Sequence, residues 1–187
     1  FMQREAPEMF DLNILKGEKD GIREINSIML SESTADALFG NEDPIGKTIE
    51  VNSQYDMMVT AVFEDIPFNT SFNDTDFLMP WDKYVSINEW VNNAEDQWGN
   101  NSFQMFVQIA DNTSMESVTA KIRNVKKDLN EETVEFNPQL FLLPMEDWYL
   151  RSRFENGKQA GGRIKYVWLF GIIGVFVLLL ACINFMN

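Results

Sequence analysis

The C-terminal end of the sequence is an apolar run that few environments accommodate. Residues 167–183, VWLFGIIGVFVLLLACI, contain no charged or polar side chain. About 20 helical residues, each rising about 1.5 Å, span the hydrocarbon core of a bilayer. The alternative is a buried core helix, but such helices seldom run so long without a polar face. We therefore predict that residues 163–187 are the start of a transmembrane helix, with Tyr166 and Trp168 in an aromatic belt.

Polar residues flank this run on both sides. Asn184 interrupts its end, and a polar side chain inside a membrane span usually faces another helix, so we predict that Asn184 contacts a second membrane helix. Five basic residues precede the run: Arg151, Arg153, Lys158, Arg163 and Lys165. The positive-inside rule alone would place this flank in the cytoplasm, although long preceding domains and later helices override that bias. Because the sequence starts without Met and stops close to the apolar run, we expect a piece of a larger membrane protein.

Composition excludes several classes of function. The net charge of −14 over 187 residues repels nucleic-acid phosphates, so no nucleic-acid partner is predicted. Histidine is absent, which excludes histidine-based nucleophilic catalysis and histidine-ligated metal sites. Cys182 is the only cysteine, so neither an intrachain disulfide nor a thiolate cluster forms.

Residues 39–48, FGNEDPIGKT, superficially match a nucleotide-binding loop. That loop has four residues between its first glycine and Gly-Lys-Thr, whereas five stand here, including two acidic residues and a proline. The surroundings predict a helix capped by Ser31 or Ser33 and ended by Gly40. Residues 43–46, Asp-Pro-Ile-Gly, fit a type I turn. The segment is therefore predicted to be a helix end and a turn, not a phosphate site.

Alternating apolar residues predict strands around this turn. We predict strands at residues 10–14, 25–30 and 48–51, and a long strand over residues 55–63 that forms an antiparallel hairpin with residues 48–51. The long strand is predicted to place five side chains on one face: Tyr55, Met57, Val59, Ala61 and Phe63. A loop over residues 68–76 and a helix containing Trp81, Tyr84 and Val85 follow.

A strand, a helix and a second strand are predicted farther along. Residues 103–109 alternate as a strand, and residues 140–143 form a short apolar strand between prolines. Between them, Thr113 and Glu116 form a capping box for a helix. Its apolar stripe consists of Met115, Val118, Ile122, Val125 and Leu129. Two parallel strands in this order form a right-handed βαβ crossover, so the predicted fold class is α+β.

Acidic side chains offer the remaining candidate chemistry. The loop at residues 73–76, NDTD, follows Glu64 and Asp65, and carboxylates of this kind hold Ca²⁺ or serve a hydrolase. The loop lacks the glycine and the distal Glu of an EF-hand, so a solvated loop is favoured. We therefore predict no catalytic residue, no cofactor and no metal. A membrane-tethered hydrolase that uses Glu64, Asp65, Asp74 and Asp76 is an alternative that ranks below the two hypotheses given at the end of this section.

Several blocks together resemble a known family. They are residues 30–33 (LSES), Ala35, residues 38–48 (LFGNEDPIGKT), residues 59–62 (VTAV), residues 65–67 (DIP) and residues 180–187 (LACINFMN). The first five blocks resemble the periplasmic core domain of MacB-like, FtsX-like ABC transporter permeases, and the last is similar to the start of their second transmembrane helix in Bacteroidetes-type permeases. In this sequence, the structural signature of the periplasmic core domain consists of Leu38, Phe39, Gly40, Pro44 and Gly46. Ala61 departs from the glycine usual in the family.

The resemblance implies a bacterial inner-membrane permease with four helices. It implies a dimer of permease subunits, a separate cytoplasmic ABC ATPase, and scope for a periplasmic or outer-membrane partner. Residues 1–162 would be the periplasmic core domain, with a mostly-β subdomain inserted at about 25–98 and a porter-like βαβ half at about 103–143. Such a domain has no catalytic residues and transmits ATP-driven motion, for export, lipoprotein release or cell-envelope control.

A membrane-anchored extracytoplasmic domain that senses a ligand is the alternative. It requires a cytoplasmic signalling domain after residue 187, whereas the permease requires further apolar spans.

Overall fold

A mixed sheet organises the first of two compact units in the chain. The computed structural model describes residues 1–94, 98–129 and 135–186, which group into units Phe1–Gln108 and Ile109–Asn187. The masked positions fall in predicted regions: 95–97 in the inserted subdomain, 130–134 in the porter-like half and 187 at the end of the apolar helix; these parts of the predictions lie outside the described residues.

Unit 1 alternates short helices and strands. In chain order its elements are α1 (Ala6–Met9), β1 (Ile14–Gly17), β2 (Ser27–Ser31), α2 (Glu32–Phe39), β3 (Thr48–Val51), β4 (Tyr55–Phe63), β5 (Phe77–Leu78), α3 (Trp81–Ile87) and α4 (Glu89–Asn92). Unit 2 contains α5 (Met115–Ile122), α6 (Val125–Leu129), a 3-10 turn (Met145–Asp147), β6 (Phe154–Glu155), β7 (Lys158–Gln159) and α7 (Ile164–Met186). The predicted α+β class is confirmed.

Strand β4 is the centre of the sheet. The strand order is β1-β4-β2-β5, and β3 also pairs with β4. β2 runs parallel to β4, whereas β1 and β3 pair with β4 in the antiparallel sense. Every residue of β2 is buried, as expected for an apolar strand covered on both faces. The chain from β2 through α2 and β3 to β4 is thus the crossover between two parallel strands.

A bulge at Thr60 divides the core between the two faces of the sheet. β4 pairs Val59 with Ile28 and Ala61 with Met29, so Thr60 has no partner in β2. An extra residue reverses the side-chain alternation beyond it. Val59 therefore packs in one cluster with Ile28, Leu30, Met57, Val62 and Ala35, whereas Ala61 and Phe63 pack in a second cluster with Ile22, Met29 and Leu78. The prediction that all five apolar residues of this strand share one face is wrong.

Local predictions in unit 1 are largely confirmed. The helix at α2, the strand at β3, the β3–β4 hairpin and the helix at α3 form where they were predicted. The predicted strand at residues 10–14 is wrong except at Ile14. Its backbone closes the turn after α1, because Phe10 N–H donates to Ala6 O and Leu12 N–H donates to Pro7 O, while Asp11 has φ of 50°.

Neither flanking strand of the predicted βαβ crossover forms in the described structure. Residues 103–109 pair with no strand. Their two phenylalanines pack on other rings, Phe103 on Trp81 and Trp90 and Phe106 on Phe10, whereas Met105 and Val107 are exposed. Residues 140–143 lie against α5. There Leu140 N–H donates to Arg123 O and Leu142 N–H donates to the Thr119 hydroxyl. The N–H groups of this second segment are thus occupied by the helix rather than by a strand.

The helix between these segments begins one residue later than predicted. Ser114, not Thr113, is the N-cap, because its hydroxyl oxygen accepts from Ser117 N–H at 3.2 Å. The apolar stripe is also divided between α5 and α6, which a turn at Arg123 and Asn124 separates. A helix forms at the predicted C-terminal position: among the described residues, α7 alone is long and apolar enough, by length and composition, to cross a membrane.

Candidate functional site: the signature segment and the apolar helix

The signature segment begins at a polar junction between α2 and the end of β4. Ser31 caps α2, and its hydroxyl oxygen accepts from Thr34 N–H at 3.3 Å. Asp65, just beyond β4, accepts from Ser33 N–H at 3.1 Å and from the Ser33 hydroxyl at 2.9 Å. The backbone hydrogen bond from Ser33 lowers the pKa of Asp65 below its usual value. These bonds fasten the first turn of α2 to the chain that leaves the central strand.

The end of α2 packs onto the sheet through one aromatic ring. Phe39 is half-buried against the core cluster that contains Val59, and Lys47 lies over the Phe39 ring at 5.0 Å from its centroid. Lys47 also pairs with Glu42, and hydrogen bonding to that ammonium lowers the pKa of Glu42. The helix ends at Gly40 as predicted; the φ of Gly40 is positive at 60°, but its ψ of −122° lies outside the left-handed helical region expected for such a cap.

The turn after α2 lies one residue later than predicted and is of a different type. Pro44 O accepts from Lys47 N–H at 3.1 Å, so the turn covers residues 44–47. Gly46, the third residue, has φ of 78°, which a type II turn requires and a type I turn does not. Its N–H donates to Val59 O at 2.8 Å instead of to Asp43 O. The predicted type I turn at residues 43–46 is therefore wrong.

Gly46 and Lys47 together form a bulge against β4. Gly46 N–H donates to Val59 O, and Val59 N–H donates to Lys47 O, so two residues oppose one. A glycine of positive φ at the first bulge position defines the G1 bulge. Pro44, the first residue of the turn, is buried. The sequence signal for this turn was a proline, Pro44, followed two residues later by a glycine, Gly46, just before a strand.

The signature residues lie in different environments. Phe39 packs on a core cluster of the sheet, Gly46 bonds to β4 and Pro44 is buried, whereas the Leu38 side chain is 56% exposed. Asn184 lies in α7 and is exposed. The structure gives none of these residues a partner outside the chain, so their roles as a signature and as a helix contact stay predictions.

The acidic residues of the hydrolase alternative do not converge. Glu64 accepts from the Asn13 amide at 2.7 Å, Asp65 binds Ser33, and Asp74 accepts from the adjacent Asn73 amide at 3.1 Å. Within the described ranges, no group of three or more His, Cys, Asp or Glu side chains could hold a metal ion. The chemistry of this region is therefore that of caps and turns.

The features described so far define a class of protein. A folded α+β unit without a gathered set of reactive side chains in its described part precedes a helix long and apolar enough to cross a membrane. The family model named MacB-like periplasmic core domain matches residues 1–125, two thirds of the sequence. The chain belongs to this family, which comprises periplasmic domains of ABC transporter permeases.

Two solved structures contain a similar chain. A crystal structure of a domain from Porphyromonas gingivalis, assigned as a permease protein, is 25% identical with a TM-score of 0.50 and covers 71% of this chain and 59% of that chain. The periplasmic region of MacB from Actinobacillus actinomycetemcomitans is 18% identical with a TM-score of 0.47, covering 78% of this chain and 60% of that chain. This chain therefore spans less than two thirds of either structure. No curated protein matches it.

Proposed function

We propose that this chain is the periplasmic part of an ABC transporter permease subunit in a bacterial inner membrane. In this proposal it is not an enzyme: a cytoplasmic ABC ATPase hydrolyses ATP, and the domain transmits the resulting motion to the periplasm for export, lipoprotein release or cell-envelope control. The observation that carries the proposal is the family match over residues 1–125, followed in the same chain by the apolar helix α7.

The contacts of unit 1 are compatible with a part that moves as a body. Three other strands pair with β4, and Asp65 joins α2 to the end of that strand. A displacement applied to one of these elements is therefore shared among all of them, because packed interiors resist continuous deformation. In the proposal, α7 passes motion across the membrane and Asn184 contacts a neighbouring helix of a permease dimer.

The proposed division of the chain follows the family. Residues 1–162 form the periplasmic core domain, about 25–98 the inserted subdomain and about 103–143 the porter-like half. Since residues 103–109 and 140–143 are not strands in the structure, the porter-like half is represented in its described part by α5, α6 and the segments beside them.

The periplasmic location is tested by cysteine labelling. We expect Ser71→Cys, in an exposed loop and in a Cys182→Ala background, to react with a membrane-impermeant maleimide in cells whose outer membrane alone is permeabilised. The matched control, Val59→Cys, replaces a buried side chain and should react only after denaturation. Reaction of Ser71→Cys only after the inner membrane is broken would place the domain in the cytoplasm and contradict the proposal.

The transporter assignment is tested by isolating the full-length protein from its native membrane in mild detergent. We expect a cytoplasmic ABC ATPase to copurify in comparable amount, as identified by mass spectrometry. Repeated recovery of the protein without an ATPase, together with a kinase or another signalling protein, would instead support the membrane-anchored sensor.

A further inference from the structure

Positive charge is concentrated beside the apolar helix of an otherwise acidic chain. Residues 148–168 contain five basic residues and one acidic residue, Glu155, a net charge of +4, whereas the whole chain carries −14. We call Arg151, Arg153, Lys158, Arg163 and Lys165 the basic flank; all five side chains are exposed. The proposed function places this flank on the periplasmic side of the membrane, where the positive-inside rule does not explain it.

The fold of unit 2 holds the basic flank at the start of α7. β6 and β7 form a hairpin whose turn residues, Asn156 and Gly157, both have positive φ, as in a type I′ turn. Arg153 and residues 160–161 extend the hairpin by two backbone hydrogen bonds of 2.8 and 3.0 Å. Ile164 N–H, the first of α7, donates to Leu150 O at 3.0 Å. The segment just before the hairpin is therefore hydrogen-bonded to the residue at which the helix begins.

Three members of the flank are available for an external anion. Arg151 pairs with Asp147 and Arg153 pairs with Glu155, but in the described part of the chain Lys158, Arg163 and Lys165 have no carboxylate partner. Arg163 instead lies over the Tyr149 ring at 4.4 Å and Lys165 over the Tyr166 ring at 4.9 Å. Tyrosine rings beside basic groups are typical of the level at which headgroups meet hydrocarbon.

We infer that the basic flank binds the anionic phospholipid headgroups of the bilayer that α7 enters. The charge is complementary to a phosphate-rich surface, and the flank is continuous with the apolar run, since Lys165 stands two residues before Val167. Basic residues beside a membrane helix bind such headgroups electrostatically, within about a Debye length of the surface. The inference rests on the proposed function only in requiring α7 to lie in a membrane.

The test uses the full-length protein in nanodiscs of phosphatidylcholine. A headgroup-photoreactive phosphatidylglycerol is compared with a phosphatidylcholine carrying the same group, and cross-links to residues 148–168 are counted by mass spectrometry. We expect an excess with phosphatidylglycerol. In the triple variant Lys158→Gln, Arg163→Gln, Lys165→Gln, the preference for phosphatidylglycerol should fall about fivefold for each charge removed. Added salt should weaken the preference of the natural protein.

Two control variants separate binding from a change of fold or of net charge. Lys158→Arg with Lys165→Arg keeps the charges and should keep the preference. Lys16→Gln, Arg23→Gln, Lys121→Gln removes the same total charge elsewhere and should also keep it. Equal cross-linking of both lipids in the natural protein, or an unchanged preference in the first triple variant, overturns the inference. Failure of the protein to remain in the nanodisc would instead contradict the proposed membrane location.

Discussion

Replacing Gly17 with alanine is expected to disrupt the sheet of unit 1. Gly17 has φ of 81°, and a Cβ added there would lie 2.1 Å from Thr60 O and 2.8 Å from the Ala61 Cα. Both atoms belong to the backbone of β4, which cannot withdraw because β2 pairs with its other edge. Because the added Cβ overlaps the backbone and φ is unfavourable for alanine, we expect the free energy of unfolding to fall by more than about 4 kcal/mol.

Gly46 supplies the matched control for this substitution. Its φ of 78° is nearly the same, yet a Cβ there would meet nothing within 4 Å. Gly46→Ala should therefore cost only the backbone strain, about 1–2 kcal/mol. Thermal unfolding of both variants and the natural protein in detergent measures the difference. Similar losses for the two variants would show that the close approach of Gly17 to β4 is not rigid.

Truncating Phe63 to alanine is expected to produce the second large loss. The Phe63 side chain is completely buried, packed with Ile22, Met29, Ala61 and Leu78 at the end of the central strand. Removing its ring leaves a cavity among these side chains, and Phe→Ala in such a core costs about 3–5 kcal/mol of unfolding free energy.

Phe68→Ala is the control for Phe63→Ala, because it truncates the same type of side chain at an exposed position. Its side chain is 90% exposed in the loop after β4, so Phe68→Ala should change the unfolding free energy by less than about 0.5 kcal/mol. Denaturant titration, followed by a signal from unit 1, gives both values. A loss at Phe68 as large as that at Phe63 would mean that the loop, and not the second core cluster, is the packed region.

Sequence reasoning succeeded where structure depends on neighbours along the chain. The cap at Ser31, the positive φ at Gly40 and the β3–β4 hairpin each involve residues within about one turn or one tight connection. The apolar helix α7 was predictable for a similar reason, because length and composition alone define it.

The errors share a dependence on distant partners. Alternation over residues 103–109 predicts a strand, but a strand requires an edge to pair with. Phe103 instead packs on Trp81 of α3 and Trp90 of α4. Likewise, the residues around Thr60 do not predict the bulge, because the bulge is one extra residue in β4 relative to β2, which lies about 30 residues earlier.

The residues of the signature were taken from the resemblance, and their geometry was not predicted. Phe39 packs on the core cluster, and the turn type was missed because Gly46 N–H bonds to Val59, in another strand. The link between Asp65 and Ser33 was missed too, since it joins residues 32 positions apart. Capping by a side chain so remote leaves no local pattern.

The central position of β4 also determines when this domain can fold. β1, β2 and β3 all precede β4 in the chain, and each pairs with it, while β1 and β2 do not pair with each other. A nascent chain that has not yet delivered Tyr55 therefore has three strands but no ladder between them; β3 then pairs with Tyr55–Met58, and β1 pairs only with Ala61–Phe63. If the domain crosses a membrane, as the proposed location requires, these three strands would have to remain unpaired until β4 emerges, and β5 would join the sheet last.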